Sequence, residues 1–320
     1  MTSVGLYTFR GCTNLKNVTI PYRATSIGQG TFYGCTGLTN MTIPDSVTSI
    51  GSSAFSGCSG LTSVTIGNGV TSIANYAFQD CSGLTSMAIP DSVTSIGLDA
   101  FSGCNNALFD TTTIPGLKLV DGWVAGTTAS PSGSLDLTGA LGIGASTFSS
   151  CTSLTSVTIG NTMKIIGTSA FLGCSGLTGA LTIPDNVTKI NSTAFKNCSN
   201  LTSVTIGNGV TSLPGANVLS NGVFAGCSSL TSVTIGSGMT SISANTFRDC
   251  SSCKIFDFRR VVVVPSLDGV SAFYNTPSDK EIIVPDVLYD EWVAATNWSS
   301  DTNNVRPCIV KASQSSLGTL

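Results

Sequence analysis

The chain has 320 residues, of which 41% are hydrophobic and only 10% are charged, and it contains no histidine. This composition is unlike that of a disordered chain, so we expect a soluble folded protein with a neutral, polar surface. The lack of histidine excludes Ser-His-Asp and Cys-His catalysis and histidine-ligated zinc, and a net charge of -3 argues against nucleic acid as a partner.

Ten cysteines recur along the chain at a nearly regular spacing. The first five lie 23 residues apart, and after a gap of 47 five more follow at spacings of 23 to 29. Each is preceded by a Phe three positions earlier. The ten are Cys12, Cys35, Cys58, Cys81, Cys104, Cys151, Cys174, Cys198, Cys227 and Cys250. Such a period predicts one supersecondary unit stacked about eleven or twelve times, that is, a solenoid.

One repeat unit runs from Phe55 to Ile73. The alternation of Val64 and Ile66 predicts a short strand with one buried face, and Val70 with Ile73 predicts a second inward-facing pair. Pro-Asp or Gly-Asn-Gly sequences between the two predict a tight turn. A compact bend of one helical turn is expected before each Phe. We therefore predict an α/β solenoid, predominantly β, with parallel strands, coils of about 23 residues, short helical turns and a small C-terminal cap.

The repeat is interrupted at three places. One extra residue near 179–181 and about six extra residues within 214–223 predict loops on the flank of the solenoid. Between residues 105 and 147 the motif decays, and an Asp121-Gly122 turn between two apolar segments predicts a protruding hairpin on a degenerate coil. We assign residues 1–258 to one solenoid domain.

The sequence pattern changes after residue 258. We predict strands at 261–264, 282–284 and 308–310, and a short helix over 287–296. A solenoid must cover its open end, so we interpret residues 259–320 as a C-terminal capping module, with a separate binding module as the alternative.

The cysteines occupy one repeat position and therefore form a column rather than facing pairs. We expect buried, reduced thiols that act as small apolar core residues. Cys250-Ser-Ser-Cys253 resembles a redox or zinc motif, but the repeat already explains Cys250, and no second such pair or histidine is present. Asp45, Asp91 and Asp185 lie at turn positions, where side-chain hydrogen bonds explain them without calcium. We expect neither a metal nor a cofactor.

The unit L-x-x-V-x-I-P-x-x-V-x-x-I-G-x-x-A-F-x-x-C occurs at Leu38–Cys58 and again at Leu84–Cys104. It closely resembles the BspA-like leucine-rich repeat, and the resemblance covers about residues 1–258. The resemblance implies a bacterial protein, surface-exposed or secreted, that binds host matrix proteins, host cells or other bacteria and has no catalytic residues. We thus expect an extracellular or cell-surface location, although no signal peptide is visible in this chain.

The outward positions of the predicted strands carry hydroxyl groups in coil after coil. The candidate binding residues are Ser63, Thr65, Ser156, Thr158, Ser203, Thr205, Ser232 and Thr234. On a parallel sheet they predict a hydroxyl-lined face with few charges. Such a face is a solvated β surface rich in strand formers, a weak multivalent surface for glycans or proteins, or an ice-ordering array. Trp123, Trp292 and Trp298 either stack on sugars or pack in the core.

Two functional hypotheses follow, and neither is enzymatic because no nucleophile has a base beside it. The first is an adhesin-like binding protein that recognises a host or bacterial surface protein or glycan through its strand face. The alternative is a structural spacer or fibre component of a cell envelope or bacteriophage, whose contacts are made by the cap or the hairpin. Neither hypothesis includes a nucleic-acid partner or a membrane span.

Overall fold

A computed structural model of the chain describes residues 3–215, 221–298 and 305–317. The chain divides into two compact units, the first formed by Met1–Ala129 with Ala140–Thr147 and the second by Ser130–Gly139 with Phe148–Leu320. Each unit is a β-solenoid of stacked parallel strands, which confirms the predicted fold class. Part of the predicted loop at 214–223, residues 216–220, lies outside the described residues.

Coils of the first unit contribute up to two short strands, a first strand with the V-x-I pattern and a second strand with the V-x-x-I pattern. The first strands are β2 (Asn40–Ile43), β4 (Ser63–Ile66) and β6 (Ser86–Met87), and they form one parallel sheet. The second strands are β1 (Ser26–Ile27), β3 (Ser49–Ile50), β5 (Ser72–Ile73) and β7 (Ser95–Ile96), and they form another. Val64 lies opposite Met41, one coil earlier, so equivalent residues stack in columns.

The predicted hairpin is present in the first unit, but it does not protrude. Strands β8 (Leu117–Val120) and β9 (Trp123–Thr127) are antiparallel around Asp121 and Gly122, whose φ values of 47° and 78° suit a tight hairpin turn. Strand β9 also pairs in parallel with β11 (Gly142–Ile143), as a second strand would. The apolar side chains of the hairpin are buried and cover the core there, so the hairpin lies within the stack.

The second unit repeats the two-strand coil with a more varied sheet structure. Its first strands form two sheets, β10 (Gly133–Asp136) with β12 (Leu154–Thr158), and β14 (Gly179–Ile183), β16 (Leu201–Ile206), β18 (Ser232–Thr234), β20 (Ile255–Asp257), β22 (Glu281–Val284) and β23 (Ile309–Lys311) in that order. Its second strands are β13 (Ile165–Ile166), β15 (Lys189–Ile190), β17 (Ser212–Leu213), β19 (Ser241–Ser243) and β21 (Ser266–Asp268).

The C-terminal region continues the second unit's sheet beyond residue 258. Strands β22 and β23 are the predicted strands there, and the predicted helix is α1 (Tyr289–Ala294), shorter than expected and preceded by a 3-10 turn. The strand predicted at 261–264 is wrong, because the N–H of Val261 closes the coil's turn onto Phe258 and leaves Val262 71% exposed. The domain boundary at 258 stays a prediction.

The bend before each Phe is a series of turns rather than a helical turn. In one coil the N–H of Ala54 bonds the carbonyl of Gly51, and that of Cys58 bonds Phe55. Ser53 and Gly57 have φ values of 54° and 74°, and these left-handed residues stop a helix from forming. The freed N–H groups bond the next coil instead, as Phe55 does to Ala77 at 2.8 Å.

The core of each unit is a column of stacked Phe rings beside a column of thiols. The Phe55 ring lies 5.2 Å from Phe32 and 5.1 Å from Phe78, centroid to centroid, and all three side chains are fully buried. In the second unit Phe148 and Phe171 stack at 5.1 Å. The ten repeat cysteines are reduced thiols. Most of them are buried. Burial raises the pKa of the Cys58 thiol to about 12, which keeps this thiol protonated.

Candidate functional site

The outward side of the first strands, here called the strand face, carries the predicted hydroxyl groups. In the first unit Ser63 and Thr65 are exposed on β4, while the alternate residues of that strand are buried. Asn40 lies opposite Ser63 and accepts a hydrogen bond from its Oγ at 2.7 Å, and Thr42 lies opposite Thr65. The inward and outward alternation of this strand is therefore as predicted.

In the second unit the strand face contains two aligned hydroxyl columns. Ser203 lies opposite Ser232, and Thr205 lies opposite Thr234, on neighbouring strands β16 and β18. All four side chains are half-buried. The columns end at β20, where Ile255 and Asp257 take these positions and Arg259 pairs with Asp257 at 2.8 Å.

Ser156 and Thr158 are exposed on β12, but they do not join those columns. They lie opposite Ser134 and Asp136 of β10 on one side. Among the described residues no ladder joins β12 to β14 on the other side, so the strand face of the second unit has a break between two sheets. The eight candidate residues therefore do not form the single ladder that the sequence predicts.

One inserted residue accompanies the break. At the start of this coil the N–H of Thr178 bonds the carbonyl of Thr155, 23 residues earlier. At its end the N–H of Thr188 bonds Lys164, 24 residues earlier. The extra residue lies in β14, whose register against β16 shifts between Gly179 and Ala180, and among the described residues β14 forms no ladder with β12.

A groove of about 780 Å³ lies at this break, and we call it the seam groove. Its polar lining comprises Thr158, Asn161, Thr182, Asp185, Asn186, Thr205 and Arg260. Two of these, Thr158 and Thr205, are candidate binding residues, and the groove brings them to one surface although their strands belong to different sheets. Its volume is within the range of about 300–1,000 Å³ that is typical of ligand pockets.

Two groove residues were not predicted as site residues from the sequence: Asp185, which was interpreted only as a turn residue, and Arg260. Arg260 lies in the turn after β20 and is exposed, and Asp185 accepts a hydrogen bond from the Asn208 N–H at 2.8 Å. The turns closed by Val187 and by Val261 are equivalent, and three coils separate them. The repeat alignment would therefore have placed Arg260 on the same edge as Asp185.

Two smaller hollows lie in the first unit. One, of about 450 Å³, borders the strand face near Asn17, Asn40 and Thr42. The other, of about 360 Å³, adjoins the hairpin and includes Lys118, whose Nζ lies 5.2 Å from the centroid of the Phe109 ring. Because Lys118 is engaged in this cation-π contact, its ammonium group is less available to a ligand. The seam groove therefore offers the better polar surface for binding.

The repeat geometry agrees with a known family. Six copies of the BspA type leucine rich repeat region match residues 1–116 and 141–276, which together make up most of the chain. The chain belongs to this family. Leucine-rich-repeat solenoids are scaffolds that typically bind rather than catalyse, so this BspA-type chain has a binding or repeat-scaffold role.

Several solved bacterial structures are similar to this BspA-type chain. A leucine rich cell surface protein from Faecalibacterium prausnitzii is 29% identical, with 79% of this chain and 68% of that chain covered and a TM-score of 0.42. A leucine-rich repeat protein from Bacteroides ovatus is 23% identical, with 96% and 80% covered and a TM-score of 0.40. The pneumococcal vaccine antigen PcpA is 17% identical, with 85% and 68% covered and a TM-score of 0.37. A search of curated proteins finds no match.

The tryptophans of the BspA-type chain pack in the core. Trp123 is 6% exposed, and Trp292 and Trp298 are fully buried. Trp298 donates from its indole nitrogen to the carbonyl of Pro265 at 2.7 Å, and its ring lies 5.1 Å from that of Trp292. Of the two interpretations of these residues, packing is correct, and none of the three rings offers a surface for sugar stacking.

The turn carboxylates join one coil to the next. Asp45 Oδ1 accepts from the N–H of Asn68 at 2.7 Å, and Asn208 does the same for Ser237 at 2.8 Å. Side-chain hydrogen bonding at these turns is predicted by the sequence, and for these residues the partner lies in the following coil. Within the described ranges no three His, Cys, Asp or Glu side chains are grouped to hold a metal ion. No helix in the same ranges has the length and apolarity needed to cross a membrane.

Proposed function

We propose that the chain is a non-enzymatic, adhesin-like binding protein of the bacterial surface or extracellular space, which recognises a host or bacterial surface protein or glycan through its strand face. The observation that carries this proposal is the seam groove, a polar groove of about 780 Å³ built into an otherwise regular strand face. Repeat proteins bind through extended faces of this kind.

The proposed contacts are hydroxyl groups on the outward side of the first strands. They are Ser63, Thr65, Ser156, Thr158, Ser203, Thr205, Ser232 and Thr234. Each hydroxyl can donate one hydrogen bond and accept others, so the surface suits polar ligands of either kind. Single neutral hydrogen bonds contribute only about 1 kcal/mol, and useful affinity therefore needs several contacts at once.

We also propose residues 259–320 as a capping module that protects the end of the strand stack. Strand β22 covers the edge of β20, and the rings of Trp292 and Trp298 lie 5.3 and 5.6 Å from that of Phe258. These three buried rings form a small apolar layer over the last repeat coil. Such a layer supports a stabilising role for this region, while recognition belongs to the strand face.

The test is binding of the purified chain to an immobilised panel of extracellular-matrix proteins and host glycans. Tyr substitutions of Thr65, Thr158 and Thr205 place a bulky ring on the strand face. Ser212→Tyr is the matched control, because Ser212 is an exposed strand residue of β17 in the other sheet. We expect saturable binding that at least one strand-face variant weakens by about tenfold, while the control leaves it unchanged.

Equal losses in all four variants would argue against recognition by the strand face. Absence of saturable binding to every panel member would favour the spacer or fibre role instead. Circular dichroism of each variant establishes that the fold is retained, so that a loss of binding is not a loss of structure.

A further inference from the structure

We propose that the seam groove binds an extended segment of a protein partner, and that an acidic side chain of this segment pairs with Arg260. The inference rests on the proposed function and names the ligand class of the same face. It follows from three properties of the groove: an uncommitted guanidinium, an interrupted sheet, and a lining of hydroxyl and amide groups without an aromatic ring.

The guanidinium of Arg260 is available to a ligand. It is exposed, it lines the groove, and among the described residues it makes no hydrogen bond or ion pair. Its neighbour Arg259 is committed differently, since its Nε and Nη2 donate to Asp257 at 2.9 and 2.8 Å. A guanidinium presents donors in a planar fork that matches a carboxylate, so Arg260 favours an acidic group.

The other polar groups of the groove fit the backbone of an extended peptide. Thr158, Thr182 and Thr205 supply hydroxyls, and Asn186, whose Nδ2 donates to the carbonyl of Asn161, supplies an amide oxygen. Asp185 accepts from the Asn208 N–H through Oδ1, and its carboxylate gives the groove a negative group as well as a positive one. A segment with an acidic side chain at Arg260 and a donor near Asp185 matches both charges.

The interrupted sheet favours a peptide over a sugar. Strands β12 and β14 border the groove and are not paired with each other. The edge of a strand that lacks a paired neighbour can offer main-chain donors and acceptors to an added chain. The groove residues include no aromatic ring on which a sugar could stack. Ala180 and Pro184 provide small apolar contacts between the hydroxyls, as alternate side chains of a strand require.

The experiment uses the full chain and an array of synthetic octapeptides made in pairs that differ only in Glu or Gln at the central position. Neutral glycans and glycans carrying sialate or uronate groups are printed on the same array. The variants are Arg260→Ala, Arg260→Gln and Ala180→Tyr, which fills the groove from an exposed position. Arg23→Ala is the matched control, since Arg23 is an exposed arginine of the first unit.

We expect the Glu member of the bound pairs to bind about tenfold more tightly than the Gln member. This preference should disappear in both Arg260 variants and persist in Arg23→Ala, and Ala180→Tyr should bind neither member. Because an exposed charge pair is screened by salt, the preference should also shrink at high ionic strength.

Equal binding of Glu and Gln peptides overturns the proposal, as does binding confined to the carboxylated glycans. An equal loss in Arg260→Ala and Arg23→Ala overturns it as well, because the effect would then be one of net charge. In each of these cases the strand-face variants on the matrix panel still report on the proposed function separately. If neither the panel nor the array is bound, both proposals fail together.

Discussion

The thiol of Cys58 donates a hydrogen bond to the carbonyl oxygen of Phe32, which belongs to the preceding coil, at 3.0 Å. The same contact joins Cys81 to Phe55 at 3.1 Å, and in the second unit Cys174 to Phe148 at 3.0 Å. The repeat position thus needs a side chain that is small, largely apolar and still able to donate. Cysteine combines these properties, which explains its recurrence better than apolar packing alone.

Replacing Cys58 with Ala should lower the free energy of unfolding by about 1–2 kcal/mol, because it removes a buried sulfur and an inter-coil hydrogen bond. Cys12 occupies the same repeat position but is exposed, and Cys12→Ala is the control for which we expect no change. Denaturant unfolding of both variants measures the difference. Equal stabilities of the two variants would show that the thiol contact contributes nothing.

The stability of the fold should fall at alkaline pH. Burial raises the pKa of Cys58 and of Cys104 from an ordinary value of 9.0 to about 12 in each case. An unfolded thiol ionises above about pH 9 while the folded one keeps its proton, so the stabilisation is complete below pH 9 and is lost between pH 9 and 12. The slope is about 1.4 kcal/mol per pH unit for each such thiol.

Thermal unfolding between pH 8 and pH 11 measures this effect. The midpoint should decline steeply above pH 9, and Cys58→Ala should decline less steeply than the unmodified chain because it has one fewer buried thiol. A midpoint that stays level up to pH 11 would mean that these thiols reach solvent in the folded protein.

Removing a central ring of the Phe column should be more damaging than removing a terminal one. Phe55 is fully buried and stacks on Phe32 and Phe78, so Phe55→Ala should cost about 3–5 kcal/mol through cavity formation. Phe9 is half-buried and among the described residues stacks only on Phe32, so Phe9→Ala should cost roughly half as much. Chemical denaturation of the two variants compares them. A cost for Phe9→Ala equal to that of Phe55→Ala would contradict the graded burial of the column.

The regular part of the fold was predictable because it depends on a period that one sequence displays. The burial of Phe55, Val64 and Ile73 and the parallel strands follow from the spacing of apolar residues in each coil. The run at 261–264 misled the prediction because four consecutive valines have a high strand propensity but no alternation to define a buried face. There the turn of the coil determined the backbone.

The candidate site was predictable only in part. The outward direction of Thr158 and Thr205 follows from strand alternation, and the structure places both on the seam groove. The extra residue before Leu181 was visible in the sequence, but its effect depends on how strand pairing accommodates it. Arg260 borders the groove from a turn three coils beyond that of Asn186, so the relation follows only from aligning distant repeats and not from the local sequence.

The turn carboxylates should act as inter-coil acceptors that do not require calcium. Asp45 Oδ1 accepts from the Asn68 N–H at 2.7 Å, and Asn75 Oδ1 accepts from the Leu98 N–H at 2.9 Å at a comparable inter-coil contact. Asp45→Asn should therefore leave the free energy of unfolding nearly unchanged, because the amide oxygen can accept the same hydrogen bond. Asp45→Ala should lower it by about 1 kcal/mol. Calorimetry with and without a chelator distinguishes an inter-coil hydrogen bond from calcium binding as the role of Asp45. A melting point that drops on chelation, and only in chains that retain Asp45, would establish a bound cation at this turn instead.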